Sequence, residues 1–308
     1  MSTPAPPVDA RPPRRMAPFL VTKQHRRFAE FADAVRRHRY IGACYGAPGI
    51  GKTLSARTYA AADDCDDWFA RGHLKGAVLP DTVLASRTVL WTPYVTTTPR
   101  ELENEIGNLI GQIETSIEHT YDPDYDPELA WDTGDQPTNR VELLIIDEAD
   151  RLRTSGLEQL RDHFDRHNIG LILIGMPGFE RRLARYPQLY SRIGFVHQYR
   201  PLDPEDVHPV LGYYWQYIGQ TLDPARETDT DAVLTIIRIT GGNFLLIERL
   251  MTQVLRVMNI NQLDDISPDL IPQPDRPWSS APSSATYRAK SVPNKWLSCC
   301  VRGSLSIR

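Results

Sequence analysis

Short apolar runs alternate with amphipathic segments between residues 40 and 200 of this 308-residue chain. The runs cover residues 40–45, 88–95, 141–148, 169–175 and 194–199. Nearly continuous runs, such as those at 141–148 and 169–175, are typical of strands buried on both faces of a parallel sheet. Because strands that alternate with helices form parallel sheets covered by those helices, the pattern predicts an α/β fold with a five-stranded parallel sheet.

Segments with helical periodicity separate these predicted strands. They cover residues 24–39, residues 53–62, the stretch after Thr98, the stretch after Ser155, and residues 178–186. Two of them begin with a capping box, in which a hydroxyl residue is followed three positions later by Glu: Thr98 with Glu101, and Ser155 with Glu158. Residues 63–86 show no clear period, and we predict an irregular segment there.

The pattern becomes purely helical from Asp203 onward. Three amphipathic segments follow, at residues 203–220, 229–239 and 244–258. They predict a small all-helical domain after the sheet. We expect the aromatic residues Tyr213, Tyr214, Trp215 and Tyr217 to form core and interface rather than a platform for stacked bases.

The turn after the first predicted strand carries a phosphate-binding motif. Residues Gly46, Ala47, Pro48, Gly49, Ile50, Gly51, Lys52 and Thr53, here called the phosphate loop, fit the pattern G-x-x-x-x-G-K-[ST]. Glycine lets successive backbone N–H groups turn toward phosphate oxygens, and the following helix adds its positive end. Lys52 can reach the β- and γ-phosphates, and the Thr53 hydroxyl can ligate Mg²⁺. We therefore predict that this loop, with Leu54 after it, binds ATP and Mg²⁺.

An acidic pair, Asp147-Glu148, ends the third predicted strand. Parallel sheets bind their ligands at the carboxyl ends of the strands, so the pair is expected beside the phosphate loop. Asp147 is predicted to hold Mg²⁺, usually through water, and Glu148 to polarise the attacking water as a general base. An acidic pair after a strand is common and is weak evidence by itself, but it is strong evidence for an ATP site when it follows a phosphate loop.

Composition narrows the class of protein. The 41% hydrophobic and 24% charged residues are ordinary for a globular domain, and no stretch reaches the ~18 apolar residues of a membrane span. No apolar signal-peptide core is present at the N-terminus. Cys44, Cys65, Cys299 and Cys300 form no C-x-x-C pair, which predicts a reducing, cytoplasmic location without zinc or disulfides.

The net charge of −4 says little about partners, but its distribution is uneven. The first forty residues are basic, which suits either a phosphate backbone or a solvated helix face; both interpretations remain open. We predict four segments: a disordered basic N-terminus at residues 1–22, a nucleotide-binding domain at 23–200 with an acidic insertion at about 118–140, a helical lid at 201–271, and a disordered tail at 272–308. The tail has no periodicity and also fits a change of reading frame in the gene.

Four segments together carry a family resemblance. They are GAPGIGKT, LLIIDEAD, LILIGMPGFERRLARYPQLYSRIGFVHQYRPL and TGGNFLLIERL. Across residues 21–266 the chain resembles the AAA+ ATPases of DNA transposition, the TnsC, TniB and MuB-like group. The first two segments are shared by many ATPases, whereas the third is much more specific.

The resemblance implies a mechanism and further site residues. ATP-bound subunits would assemble on double-stranded DNA into a ring or helical filament and recruit a transposase, possibly with a target-selection protein. Hydrolysis would then release the subunits. A neighbour's arginine would complete the ATP site; Arg192 is the first choice, with Arg181, Arg182 and Arg185 as alternatives. Candidate contacts to the DNA backbone are Lys75, Thr97, Arg100, Arg151 and Arg153.

Two departures from the family pattern predict slow intrinsic hydrolysis. The fourth strand ends at Gly175-Met176, without the polar residue usual there, and Leu245 stands where an arginine usually follows the lid turn; Arg249, one turn on, can substitute. Three other classes remain as alternatives: an origin-recognition or helicase-loading ATPase, a signalling ATPase that needs no DNA, and a small-molecule phosphotransferase.

Overall fold

The computed structural model describes residues 19–71, 78–122, 124–125, 140–263, 266 and 270–271. The strands are β1 (Ile41–Tyr45), β2 (Thr88–Trp91), β3 (Leu143–Ile146), β4 (Gly170–Gly175) and β5 (Ile193–Gln198). The helices are α1 (Lys23–His38), α2 (Lys52–Tyr59), α3 (Ala62–Ala70), α4 (Asp81–Ser86), α5 (Pro99–Tyr121), α6 (Thr154–Arg166), α7 (Phe179–Leu183), α8 (Pro187–Tyr190), α9 (Pro204–Tyr217), α10 (Glu227–Thr240) and α11 (Phe244–Asn261). Several predictions lie outside the described residues: segment 1–18, Lys75, residues 126–139 of the acidic insertion, and tail 272–308 with Cys299 and Cys300.

The five strands form one parallel sheet in the order β2-β3-β4-β1-β5. Its register pairs Ala43 of β1 with Leu173 of β4, and Ile146 of β3 with the same Leu173. The carboxyl ends of β1 and β3 therefore lie at one edge of the sheet, with β4 between them. The predicted α/β fold with a five-stranded parallel sheet is confirmed.

Helices cover both faces of the sheet. On one face, Phe28 and Val35 of α1 pack with Cys44, Ile172 and Ile174 of the strands. On the other face, α5 and α6 bury a second apolar cluster that includes Leu102, Ile106, Leu160, Ala43 and Leu171. Strands that lie between two apolar layers must be apolar on both sides, which explains their nearly continuous hydrophobic runs.

The three helices α9–α11 have a core of their own. Tyr214 and Trp215 are fully buried with Ile236 and Met251, and the indole Nε1 of Trp215 donates to Asp229 Oδ1 at 3.3 Å. The expectation that the aromatic cluster is largely core holds for these two residues, whereas Tyr217 is 62% exposed. The domain boundaries themselves stay predictions.

The structure corrects three of the predicted element boundaries. Residues 63–86, expected to be irregular, contain most of α3 and all of α4, because Cys65, Trp68 and Phe69 pack on the core. Strand β2 ends at Trp91 rather than residue 95, since a Pro93 follows and a turn closes from Tyr94 O to Thr97 N at 3.1 Å. The first part of the predicted acidic insertion, residues 118–121, continues α5.

Of the two predicted capping boxes, one is present and one is not. The Thr98–Glu101 capping box is present, with both hydrogen bonds made. The predicted box at Ser155 is wrong: α6 is capped by Arg153 without a side-chain hydrogen bond, and Ser155 lies inside the first turn. The neighbouring Thr154 hydroxyl instead hydrogen-bonds the Tyr186 hydroxyl at 2.8 Å. In the described part of the chain, none of the helices combines the length and the apolar character needed to cross a membrane.

His163 is a buried imidazole that lies against a second histidine and a glutamate. Its ring, 4% exposed, stacks on His167 at 4.1 Å, and its Nδ1 lies 3.6 Å from Glu103 Oε1. Burial, followed by the charge of His167, lowers the pKa of His163 below its ordinary 6.5. The unfolded chain therefore takes up this proton at a higher pH than the folded chain, so the free energy of unfolding falls as the pH drops below 6.5.

We expect His163→Gln to flatten this pH dependence, measured by urea unfolding at about pH 7.5 and about pH 5.5. His25 and His197 also have pKa values lowered mainly by burial, so a smaller slope of the same sign should remain. Identical slopes in the wild type and the variant would show that His163 does not contribute.

Candidate functional site

The phosphate loop connects β1, which lies between β4 and the edge strand β5, to α2. Gly49 and Gly51 have positive φ angles of 76° and 106°, a backbone conformation that strains other residues. A Cβ at Gly46 would lie 2.5 Å from the Tyr199 carbonyl oxygen. The loop therefore needs glycine at these positions for its shape, which leaves its backbone N–H groups to form an anion cradle.

Lys52 lies at the start of α2 and is 8% exposed. Its Nζ donates to the carbonyl oxygens of Gly46 at 2.6 Å and Ala47 at 2.8 Å. Burial lowers the pKa of Lys52, and the charges of Asp147, Asp150 and Glu148 oppose that shift. The acidic groups that follow β3 are thus close enough to act on this ammonium group.

Cys44, directly beneath the loop in β1, is fully buried. Burial raises the pKa of its thiol to about 12, so the thiol stays neutral and acts as a small apolar side chain. The prediction that Cys44 is a buried hydrophobic residue is confirmed.

Asp147 and Glu148 follow β3 at the same edge of the sheet. Asp147 is 3% exposed, and its Oδ1 accepts the backbone N–H of Glu148 at 2.9 Å. Glu148 has a positive φ of 52° and is partly exposed. One of the two carboxylates is therefore buried and the other partly exposed, and their roles as metal ligand and base stay predictions.

Glu148 is held by an arginine of its own chain. Arg151 forms an ion pair with Glu148 Oε2 across one turn of the 3₁₀ helix Ala149–Arg151. Its guanidinium also donates to the Pro93 carbonyl oxygen after β2 at 3.1 Å. The Glu148 carboxylate is therefore engaged within its own chain, and this ion pair must open before the carboxylate can turn toward an attacking water.

We expect Arg151→Ala to raise DNA-free ATP hydrolysis by about two- to fivefold, because a half-exposed ion pair contributes up to about 1 kcal/mol and must open before Glu148 can accept a proton. Steady-state phosphate release measures the effect. Arg166→Ala is the matched control, since it removes the Asp162–Arg166 pair at the end of α6. A rate at or below that of the wild type would contradict the inhibitory role of Arg151.

The arginines considered for a role between subunits differ in their surroundings. Arg192, just before β5, forms a two-pronged pair with Asp165, with Nε to Oδ1 at 2.5 Å and a terminal nitrogen to Oδ2 at 2.8 Å. Its hydrogen bond holds the pKa of Asp165 below the ordinary value. Arg182 donates to the carbonyl oxygens of Asp150 and Leu152, so its guanidinium is already hydrogen-bonded within its own chain. Arg181 and Arg185 are exposed on or beside α7.

The candidate DNA contacts differ in exposure and in their partners. Arg100 and Arg153 are exposed, and Arg151 is engaged with Glu148. The Thr97 hydroxyl oxygen is buried without a hydrogen-bond partner, so a contact to phosphate would require its turn to open. Lys75 lies outside the described residues. These contacts stay predictions.

The structure shows what occupies the two positions, Gly175 and Leu245, at which the sequence lacks an expected polar or charged side chain. A Cβ at Gly175 would lie 2.5 Å from the Phe179 ring, so packing excludes a side chain at the end of β4. Leu245 uses its backbone N–H, which donates to the Gly49 carbonyl oxygen at 2.9 Å. Arg249 is exposed on α11.

Two residues at the site were missed by the sequence interpretation. The Tyr199 hydroxyl hydrogen-bonds Ser55 Oγ of α2 at 2.8 Å, and the Asn243 amide donates to the Pro48 carbonyl oxygen at 2.9 Å. An asparagine after two glycines and before a helix is a recognisable N-cap signal that could have singled out Asn243. Nothing in the sequence near Tyr199 indicates its contact.

Comparison with known proteins supports the nucleotide site. The family described as AAA domain matches residues 35–183. A Staphylococcus aureus protein described as a potential ATP-binding protein is 39% identical over 258 residues, which cover 82% of this chain and 93% of that protein.

Solved structures show only distant similarity. The Thermotoga maritima RuvB Holliday junction branch migration motor aligns with a TM-score of 0.47 and 15% identity over 80% of this chain. The Aeropyrum pernix ORC1 protein in complex with DNA aligns with a TM-score of 0.49 and 17% identity over 84%. This chain spans 65% of the length of each of these two structures.

The family match includes the phosphate loop and the acidic pair, and the similarity to the staphylococcal protein extends over nearly its whole length. The fold that carries both motifs is the parallel α/β sheet described above. The chain therefore belongs to the AAA-domain family of P-loop ATPases.

Proposed function

We propose that this protein is an ATP-dependent DNA-binding regulator of transposition. ATP-bound subunits assemble on double-stranded DNA as a ring or filament and recruit a transposase, and hydrolysis releases them. The assignment to transposition rests on the sequence resemblance, which centres on the segment from β4 to β5. One observation supports a switch controlled by ATP. Glu148, the proposed base, is held in an ion pair by Arg151.

The residues at the sheet edge fit ATP with Mg²⁺. The phosphate loop presents N–H groups and Lys52 to the phosphates, while Thr53 is exposed on the first turn of α2 and Asp147 lies at the end of β3. Mg²⁺ typically takes few protein ligands and completes its shell with phosphate oxygens and water. Thr53 and Asp147 are the residues that would hold it, and the ion would neutralise charge on the phosphates.

Hydrolysis needs a base and a way to stabilise developing charge. Glu148 accepts a proton from the attacking water once its pair with Arg151 opens. Lys52 moves from the Gly46 and Ala47 carbonyl oxygens to the phosphates. Arg192 of a neighbouring subunit exchanges Asp165 for the γ-phosphate and acts as an arginine finger. Because two ion pairs must open, hydrolysis is slow until DNA or a partner favours the rearranged state.

Electron microscopy of the purified protein with duplex DNA tests the assembly. We would compare ATP, a non-hydrolysable analogue and ADP, with Lys52→Ala as the control that removes the phosphate contact. Rings or filaments on DNA with a triphosphate alone support the proposal. Assemblies that need no nucleotide, or monomers under all conditions, would refute the mechanism, and monomers would favour a signalling ATPase that does not use DNA.

A further inference from the structure

The lid contacts the phosphate loop through the turn between α10 and α11. Asn243 caps α11, because its Oδ1 accepts the backbone N–H of Leu246 at 3.2 Å. Its Nδ2 simultaneously donates to the Pro48 carbonyl oxygen at 2.9 Å. Next to it, the Leu245 N–H donates to the Gly49 carbonyl oxygen at 2.9 Å. Two consecutive carbonyl groups of the loop are therefore held by the first turn of one lid helix.

The contact is close on both sides of the turn. A Cβ at Gly49 would lie 2.8 Å from both Asn243 Oδ1 and Leu245 Cβ. A Cβ at Gly242 would lie 2.2 Å from the Leu202 carbonyl oxygen, and the Leu202 N–H donates to the Gly242 carbonyl oxygen at 2.9 Å. The turn thus lies between the phosphate loop and the connection that follows β5, with no space for side chains at the two glycines.

These hydrogen bonds affect the opposite side of the loop. In a trans peptide unit the C=O and N–H groups point in opposite directions. The Pro48 carbonyl shares its peptide plane with the Gly49 N–H, and the Gly49 carbonyl shares its plane with the Ile50 N–H. When the lid holds the two carbonyl groups, it also fixes the direction of these two N–H groups, which belong to the anion cradle.

We propose that Asn243 is a positioning residue that orients the N–H groups of the phosphate loop and couples the lid to the bound nucleotide. The inference builds on the ATP site and does not depend on DNA or a transposase. Asparagine suits both tasks because one planar amide supplies the capping acceptor and the donor to Pro48. Since coupling is reciprocal, a nucleotide that orders the loop also orders the first turn of α11.

The two tasks of Asn243 can be separated by substitution. Asn243→Ser keeps a capping oxygen but has no amide donor, whereas Asn243→Ala removes both. We expect both variants to bind a fluorescent ATP analogue roughly 3- to 10-fold more weakly, the effect of one lost hydrogen bond. Without nucleotide, Asn243→Ala should lower Tm by about 2–4 °C and Asn243→Ser by less than about 1 °C.

Asn261→Ser is the matched control. Asn261 lies at the other end of α11, and its Nδ2 donates to the Val257 carbonyl oxygen at 2.8 Å. Its loss removes a side-chain hydrogen bond from the same helix without touching the loop, so ATP affinity should stay at the wild-type value.

Hydrogen exchange distinguishes coupling between the lid and bound ATP from a general change in the stability of α11. ATP should slow exchange at the Leu245 and Leu246 amides in the wild type and Asn261→Ser, and this protection should be lost in Asn243→Ser. Wild-type ATP affinity in Asn243→Ser would overturn the proposal. If ATP binding were weakened in Asn243→Ala alone, the role of Asn243 would be restricted to capping α11. Because these measurements use no DNA, failure of the assembly mechanism would leave their interpretation unchanged.

Discussion

Glu148→Gln is expected to slow ATP hydrolysis by roughly 10²–10⁴-fold, the usual contribution of a positioned general base. Glutamine keeps the size of the side chain but cannot accept a proton from water. Glu148 follows the carboxyl end of β3 and is partly exposed, and under the proposed function it polarises the attacking water. Single-turnover hydrolysis measured with excess protein isolates the chemical step.

Binding of ATP should change by less than about twofold in the same variant, because Glu148 is not among the groups that hold the phosphates. Asp162→Asn is the control, since it breaks a comparable ion pair, with Arg166 at the end of α6. Hydrolysis at the wild-type rate in Glu148→Gln would remove Glu148 from the mechanism. A parallel loss of ATP binding would point instead to a damaged loop.

Phe28→Ala is expected to lower the free energy of unfolding by about 3–5 kcal/mol, as is usual for a large buried aromatic side chain. Phe28 of α1 is fully buried, and its ring lies within 6.4 Å of the rings of Tyr59, His197 and Tyr199. Its removal leaves a cavity between α1, α2 and β5. Urea unfolding followed by circular dichroism measures the change.

Tyr217→Ala provides the comparison, because that ring is 62% exposed and its loss should change stability by less than about 0.5 kcal/mol. Phe28 also lies before the region matched by the AAA domain family, which begins at residue 35. A small effect of Phe28→Ala would mean that α1 is not an integral part of the folded core.

Local sequence patterns predicted those features that depend on a few neighbouring residues. The glycines of the phosphate loop, the positions of the five strands and the Thr98 capping box were all predictable, because each leaves a signal within a few neighbouring residues. Helices α3 and α4 were missed because their stability comes from packing of Trp68 and Phe69 on the core rather than from a long amphipathic repeat. The end of β2 was misjudged because Thr and Tyr also suit strands.

The sequence by itself determined the α/β class, the order of the five strands along the chain, and the identity of the ATP-binding motifs, since hydrophobic periodicity and backbone freedom are local properties. Only the tertiary structure decided which distant groups oppose each other across the site: Asp165 on Arg192, and Asn243 on the Pro48 carbonyl oxygen. These two contacts join residues 27 and 195 positions apart. Such pairings depend on how the sheet and the lid bring distant segments together, which no local pattern encodes.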